Sequence, residues 1–390
     1  MDNPARSTIS HGMAQRFDII VAGAGLNGCT MALALAAHGF RVALVDMQPF
    51  EQLKDPGFDG RGYAIALASQ RMLNTLGVWP ALGGETTPML KIKISDGRPG
   101  EGPGPHVLEF DHAEIEEGPM GHMVEDRVLR PVLIDQCLAQ PEISVFAPTA
   151  VTHSTRGPGK VTAHLDDART LDASLIIACD GFRSPLAKEA GIKRNFTDYG
   201  QVALVAAVGH ALPHNGIAHQ FFMPAGPLAI LPLPGNRSSI VWAETTANAK
   251  RIAALDDKEF MGELRLRFGD FLGPLTLDGA RFTYPLVLSV TDRLTASRLA
   301  LVGDAGHKLH PIAGQGLNAG LRDVATLAEV LTLATDGFNR LFSNDNPWLR
   351  TGRDIGLDMV AQSTTLRRAF IREAAGLTGE LPRLLQGRVI

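Results

Sequence analysis

FDIIVAGAGLNGCTMALALAAHGFRVALVD, Phe17 to Asp46, is the stretch on which the reading of the fold turns. Phe17 to Ala22 is a short β-branched run, and GAGLNG follows at once as Gly23-Ala24-Gly25-Leu26-Asn27-Gly28. An Ala- and Leu-rich helical segment closes on Gly39, and Arg41 to Val45 forms a second strand ending on Asp46. This is a βαβ unit with glycines at three spaced positions and an acid about 20 residues further on. Gly23 permits the tight turn, Gly25 lets the backbone approach a pyrophosphate, and Gly28 lets helix and strand pack closely. Leu26 and Asn27 fall at the helix start, and Asp46 is placed to accept hydrogen bonds from an adenosine ribose. Chance glycines in an ordinary βα turn are the competing reading. Strand, helix and acid together favour a dinucleotide, without saying which.

Outward from this unit, the 390 residues supply enough chain for two or three domains. A content of 45% hydrophobic and 20% charged residues is that of a globular protein. The net charge of −4, with no basic block, gives no reason to expect a nucleic acid partner. Cys29, Cys137 and Cys179 are far apart in the sequence, each in an apolar setting, which reads as reduced core cysteines of a cytoplasmic protein. Twelve scattered histidines form no metal-ligand cluster. Met1 to Arg16 reads as a disordered tail, and no segment approaches the roughly 20 apolar residues of a membrane span.

Pro49 to Gly62 breaks the βα rhythm, and Arg61 precedes a helical pattern from Tyr63 to Leu76. Alone, Arg61 reads as a solvated loop arginine. Between Pro88 and Gly121 the pattern alternates with period two, MLKIKISDG and VLEFD flanking a Gly/Pro-rich turn, which predicts an inserted antiparallel hairpin. Val124 to Leu138 is helical, with Arg127 in the first turn, where the helix dipole disfavours a cation; an anionic ligand or exposure to water would each account for it. Strands at Ile143 to Thr149, Val161 to Leu165 and Leu175 to Ala178 lead to Asp180-Gly181, a second strand-to-helix junction, whose plainer reading is a turn capped at Ser184-Pro185. Gln201 to Pro285 is strand-rich with one helix from Lys258 to Phe268 and predicts a separate antiparallel sheet. Within it, Phe221, Phe222, Leu228, Ile230 and Trp242 are candidates for a hydrophobic pocket or for ordinary core.

GDAGHKLHPIAGQGLNAGLRD, Gly303 to Asp323, is the third junction. The strand Leu299 to Val302 precedes it, and a helix with Leu317, Leu321, Val324, Leu327 and Leu331 on one face follows. Its loop carries Pro311, Gly314 and Gly316 and ends on a helix N-terminus, which suits a flat, electron-rich ligand; an ordinary connection is the alternative. From Thr332 to Ile390 the pattern is helical with interruptions. Arginines 367, 368, 372 and 383 lie there among leucines, and membrane contact and docking on the protein's own body are both open.

Taken together, GxGxxG, Cys179-Asp180-Gly181 and GDAGHKLHPIAGQG resemble, in order and spacing, the class A flavin-dependent aromatic hydroxylases over nearly the whole chain. DGRGYAIALASQRMLNTLGVW, VEDRVL, FFMPAGPLAILPLP, LHPIAGQGLNAGLRDV and ATDGFNRLFSND are similar to the ubiquinone-biosynthesis hydroxylases in particular. The resemblance implies an α/β fold, with a Rossmann-like FAD-binding domain (17–87, 112–186 and 286–335) and an inserted antiparallel substrate-binding sheet (88–111 and 187–285). It also implies a helical C-terminal region (336–390). FAD would lie on Gly23, Gly25, Leu26, Asn27, Gly28 and Asp46, with Arg61 and Arg127 at its ribityl-phosphate portion and Asp180-Gly181 close by. Gly303 and Asp304 would meet the ribityl chain, and Pro311, Gly314, Gln315, Gly316, Leu317 and Asn318 the pyrimidine edge. His310 is a candidate for substrate contact, and no acid or base stands out. The implied activity is hydroxylation of a polyprenylated phenol by O2 through a flavin C4a-hydroperoxide, with NADH or NADPH as reductant. A ubiquinone-biosynthesis complex and peripheral contact with the inner membrane face are further implications. Hydroxylation of a small soluble aromatic and a catalytically silent flavoprotein scaffold are the alternatives. Two departures from the family pattern stand out. The segments Ala325 to Leu331 and Ala334 to Phe342 nearly abut, and Gly306 stands where alanine is commoner.

Overall fold

The computed structural model describes residues 15–55, 60–310, 314–333 and 381–388. Ile19–Ala22 lies at the middle of a six-stranded sheet, with Val42–Val45 and then Ile143–Phe146 parallel on one side. On its other side Leu175–Ala178 and Leu299–Leu301 run parallel, and the two-residue strand Thr295–Ala296 closes that edge antiparallel. The order reverses between Ile19–Ala22 and Leu175–Ala178, and the carboxyl ends of strands at such a reversal are where open α/β sheets bind ligands. These strands are fully apolar because both faces are covered. Helices Leu26–Ala36, Asp126–Ala139 and Gln315–Leu333 bury one face, and the meander Val151–Arg156, Val161–Leu165 and Thr170–Ala173 buries the other.

An eight-stranded sheet stands apart from this one, built on the long strands Arg194–His210 and Leu275–Thr291. The expected hairpin forms its far end, Lys91–Arg98 against Gly102–Asp111 in the register Lys91↔Asp111. The sheet is antiparallel except where Ile217–Met223 meets Lys91–Arg98 in parallel, since the hairpin reaches that edge from a distant part of the chain. Helices Thr246–Ala253 and Asp257–Phe268 pack over one face, burying Leu204, Leu228, Ile230 and Trp242.

Several sequence expectations need correction. Gln15–Arg16 is no tail but a strand beside Leu171 and Asp172; Met1 to Ala14 lie outside the described residues. Tyr63 to Leu76 is not one helix. Gly62–Ala66 is drawn into a ladder with Gly121–Glu125, and the helix starts only at Leu67. Helix Thr246–Ala253, capped by the Thr245 hydroxyl, was hidden in a strand-rich stretch. The strand containing the expected boundary at 285 continues to Thr291. Of the expected C-terminal helical region (336–390), residues 336–380, 389 and 390 lie outside the described residues. Arg383–Gln386 is a 3-10 turn whose Leu384 and Leu385 dock on the protein's own core, beside helix Leu67–Thr75.

Where strand Gly121–Glu125 passes into helix Asp126–Ala139, a buried ionic group fixes both. Asp126 accepts from Tyr63 Oη at 2.8 Å and from Arg130 Nε and Nη2 at 2.9 and 2.7 Å. Burial alone would raise the Asp126 carboxyl, but the Arg130 bonds outweigh it and hold it below its ordinary value. Its folded value therefore lies below its unfolded one, so its stabilisation is present above about pH 4 and lost as pH falls through the folded value. Arg130→Met, which strands a buried carboxylate, is expected to cost about 3–5 kcal/mol in urea unfolding at pH 7 and to flatten the acid limb of the stability profile. A loss below about 1 kcal/mol would contradict this role.

Candidate functional site

The three junctions named by the sequence meet at one point. Gly23, at φ +103°, leaves so little room that a Cβ there would lie 2.4 Å from the Cys179 carbonyl oxygen. A Cβ at Gly28 would lie 1.8 Å from the Gly23 oxygen and 3.2 Å from Cys179 Cβ. Asn27 fills the space that Gly303 and Gly320 leave open, since a Cβ on either would come within 2.2 or 2.3 Å of its Nδ2. Its side chain thus braces the third junction. Gly25 differs from all of these: a Cβ there would meet nothing within 4 Å. Gly25 starts helix Leu26–Ala36 with no side-chain cap, leaving the N–H groups of Leu26, Asn27 and Gly28 to face that open space.

Asp46 ties the second strand to the glycine turn, accepting from Ala24 N at 2.6 Å and Gln48 N at 2.8 Å. Each oxygen keeps a lone pair for a ribose hydroxyl. At the second junction both carboxylate oxygens of Asp180 are buried with no hydrogen-bond partner among the described residues. Its pKa is pushed up to about 6, chiefly by burial. Gly181 follows at φ +82° with open space around it.

At the third junction Asp323 receives the Gly303 N–H at 2.9 Å and His307 Nε2 at 2.7 Å. Burial disfavours protonated His307, but Asp323 outweighs it and raises its pKa. Asp304 is exposed by surface area, yet its surroundings disfavour the charged form and raise its pKa. Asn318 accepts from Ala66 N at 2.9 Å and donates to the carbonyls of Ala64 (2.7 Å) and Gly314 (3.0 Å). It therefore fastens the start of helix Gln315–Leu333 to strand Gly62–Ala66. Gly314, at φ +63°, sits where a Cβ would lie 2.8 Å from Ala64 Cβ, and Gly316 faces open space. Pro311 lies outside the described residues.

Arg61 and Arg127 flank the same strand and helix, with side chains 41% and 44% exposed. Both have internal acids, Asp126 at 3.6 Å and Glu125 at 3.1 Å, respectively. His310 is half-buried edge-on to Tyr199 at 5.1 Å, and its Nδ1 is buried without a partner among the described residues. Burial lowers its pKa and keeps the ring neutral. Arg194 was not foreseen. It donates to Ser289 Oγ at 2.8 Å and to the Asp304 and Ala305 carbonyls, joining the large sheet to the turn Gly303–Ala305.

Of the apolar residues that could form a pocket or ordinary core, most are core. Phe221, Leu228, Ile230 and Trp242 lie under the two covering helices. The opposite face carries Val205, Val241, Phe282 and Tyr284 and turns toward the loop before Gly62–Ala66: a Cβ on Gly60 would lie 2.9 Å from Phe282 and 3.3 Å from Val205. By its pairing with Pro227, Phe222 belongs to this second face.

An FAD molecule fits this donor set: an uncapped helix start at Gly25, a second helix start at Gln315 and bare glycines for its phosphates and ring edge, carboxylates for its hydroxyls, and two guanidinium groups. Residues 16–339 match the FAD binding domain family. The chain is 42% identical to ubiquinone hydroxylase UbiL of Rhodospirillum rubrum, with 95% of this chain and 92% of that protein aligned. It is 30% identical to 3-demethoxyubiquinol 3-hydroxylase of Escherichia coli, over 93% and 99% of the two chains. In three dimensions it resembles p-nitrophenol 4-monooxygenase PnpA from Pseudomonas putida DLL-E4 with a TM-score of 0.71 at 17% identity, over 94% and 100%, a likeness of fold.

Two glycines separate fold from ligand binding. Gly28→Ala is expected to destabilise the cofactor-free protein by about 1–3 kcal/mol or more, because its methyl meets backbone. Gly25→Ala is expected to leave thermal unfolding of the cofactor-free protein nearly unchanged and to weaken FAD binding by at least about tenfold in fluorescence titration. Equal effects of the two on FAD affinity and stability would contradict this division. For Asp180 the folded pKa exceeds the unfolded one, so its favourable contribution is complete below about pH 4 and lost as pH rises past about 6. Cofactor-free protein is expected to lose stability across that window, and Asp180→Asn to lose less.

Proposed function

The chain belongs to the FAD-dependent ubiquinone-biosynthesis hydroxylases of the FAD binding domain family, and we propose on that footing that it hydroxylates the ring of a polyprenylated phenol on the way to ubiquinone. The observation that carries this reading is the meeting of three glycine-bearing junctions at the reversal point of the parallel sheet, opposite an apolar sheet face. FAD, when bound, supplies activation of O2 and transfer of one oxygen atom to an electron-rich ring.

The protein's own part is binding, orientation and exclusion of water. Gly25 and the N–H groups of Leu26 to Gly28 would hold the pyrophosphate, and Asp46 the adenosine ribose. Arg61 and Arg127 would leave their internal acids for the ribityl-phosphate portion. Asp180 and Gly181 would close one side of the cofactor, and Gly303 and Asp304 would hold the ribityl chain. Backbone N–H groups of Gln315, Gly316 and Leu317, at a helix start fixed by Asn318, would direct partial positive charge to the pyrimidine edge. Val205, Val241, Phe282 and Tyr284 keep the facing surface dry. Neutral His310 offers Nδ1 to the hydroxyl of the phenol and so orients the ring. We assign the substrate domain to the eight-stranded sheet and the FAD domain to the parallel sheet with its helices.

NADH or NADPH is the reductant in this reading. A prenylated substrate resides in a bilayer, so the protein meets it by peripheral contact, in company with other ubiquinone-biosynthesis proteins; no helix among the described residues is long and apolar enough to cross a membrane. The test is turnover of FAD-loaded protein with NADH or NADPH, O2 and a short-chain prenyl phenol, followed by mass spectrometry. The expected product carries one added oxygen on the ring, and Asp304→Ala is expected to lower kcat/KM by at least about tenfold while the fold is retained. Flavin oxidation that yields only hydrogen peroxide with every prenyl phenol tried would refute the assignment.

A further inference from the structure

The helices over the eight-stranded sheet cover only part of its outer face. Beyond them, strands Lys91–Arg98, Gly102–Asp111 and Ile217–Met223 continue the sheet, and a half-open cavity of about 1060 Å³ lies between these strands and helix Asp257–Phe268. Strand register places this cavity away from the flavin site. His219 pairs with Ile230 and Lys93, and Phe221 with Leu228 and Ser95, so its floor shares the face of the helix-covered core. Val205 and Phe282 lie on the opposite face.

The lining mixes exposed apolar side chains with charged ones, Lys93, Glu101, Glu109, Arg265 and Asp270, whose sum is one negative charge. Val107, Leu266 and Phe271 are 49%, 53% and 38% exposed around it, although large apolar side chains gathered at one opening are what folding ordinarily buries. Four of its ionic groups pair, Lys93 with Glu109 at 3.2 Å and Arg265 with Asp270 at 2.8 Å, which leaves the Glu101 carboxylate as the excess charge. His219 lies against Phe271, ring centroids 4.5 Å apart, and has no hydrogen-bond partner among the described residues. Burial, aided by the Lys93 charge, lowers its pKa to about 4, so it presents one neutral donor and one acceptor at physiological pH. Gly262 interrupts the helix wall, and a Cβ there would meet nothing within 4 Å. An interior helix glycine costs about 1 kcal/mol relative to alanine, and here it leaves space in the wall.

We propose that this cavity is a second binding site, separate from the flavin, for a neutral quinone-type lipid whose ring rests on His219 and Phe271 and whose apolar chain follows Leu266 and Val107. The excess Glu101 charge disfavours an anionic ligand, the exposed apolar side chains favour a neutral one, and the volume matches a ring with a short isoprenoid or alkyl chain. The choice of a quinone over other neutral aromatics rests on the proposed function. Such a site would hold substrate or product at the surface of an enzyme whose ligands are scarcely soluble in water.

The probe is 2,3-dimethoxy-5-methyl-6-decyl-1,4-benzoquinone, with FAD-loaded full-length protein. Equilibrium dialysis counts all bound quinone, and flavin absorbance reports only the quinone beside the cofactor. Two molecules per chain are expected, one of them silent in the flavin spectrum. Gly262→Phe, which fills the cavity, and Leu266→Lys, an exposed position tolerant of charge, are each expected to weaken the silent site at least about tenfold and leave the flavin-perturbing site intact. One saturable, flavin-perturbing molecule in the parent overturns the second site and leaves the proposed function standing. Silent binding unaffected by either folded variant also overturns it. Silent binding lost in both variants, with no flavin-perturbing molecule in any protein, supports the cavity and counts against the proposed function.

Discussion

Everything in the site depends on how closely helix Leu26–Ala36 can approach the strand ends beneath it. The Gly23 carbonyl occupies the place a Gly28 side chain would take, and the Cys179 carbonyl the place of one on Gly23. Because these backbones touch, the Leu175–Ala178 strand delivers Asp180 beside the glycine turn. Asn27 can then reach between Gly303 and Gly320 and fix the third junction at the same point. A single methyl in this contact would push apart three segments separated by more than a hundred residues each. Such packing is steric, not adhesive; its value lies in aligning two helix starts and several polar groups on one ligand before that ligand arrives.

The large sheet completes the site through a different interaction. Arg194 leaves its strand to donate to the carbonyls of the Gly303–Ala305 turn, and Arg237 binds the buried Glu125 at 3.2 Å. Charge-assisted bonds of this kind fix orientation where the apolar contact alone would let two surfaces slide. The same sheet then divides its labour by strand periodicity. Alternate residues face either the Val205 and Phe282 cluster or the helices, so one set of strands builds two separate apolar clusters.

Much of this was legible in the sequence because it resides in local pattern. Glycine spacing, an acid at the end of the second strand, and apolar runs bounded by turns name the three junctions from a few residues each. What escaped was non-local. Whether Tyr63 lies in a helix or a strand depends on Val124, its ladder partner in a different segment. Which face of the sheet holds Trp242 depends on where helix Asp257–Phe268 comes to rest. Arg194 carries no motif, and its carbonyl partners lie 110 and 111 residues away. Asn318 was expected at a ligand through its backbone, yet its side chain holds strand Gly62–Ala66 at two points, 252 and 254 residues distant.

This assembly serves to place one oxygen atom on the ring of a ubiquinone precursor. Deleting the gene and determining the mass of the prenylated quinone precursors that accumulate tests that claim without presuming a reductant, a partner or a tail length. Loss of ubiquinone and accumulation of a prenylated ring lacking one oxygen, restored by the parent gene, are the expected result. Unchanged ubiquinone with no accumulated precursor would contradict it.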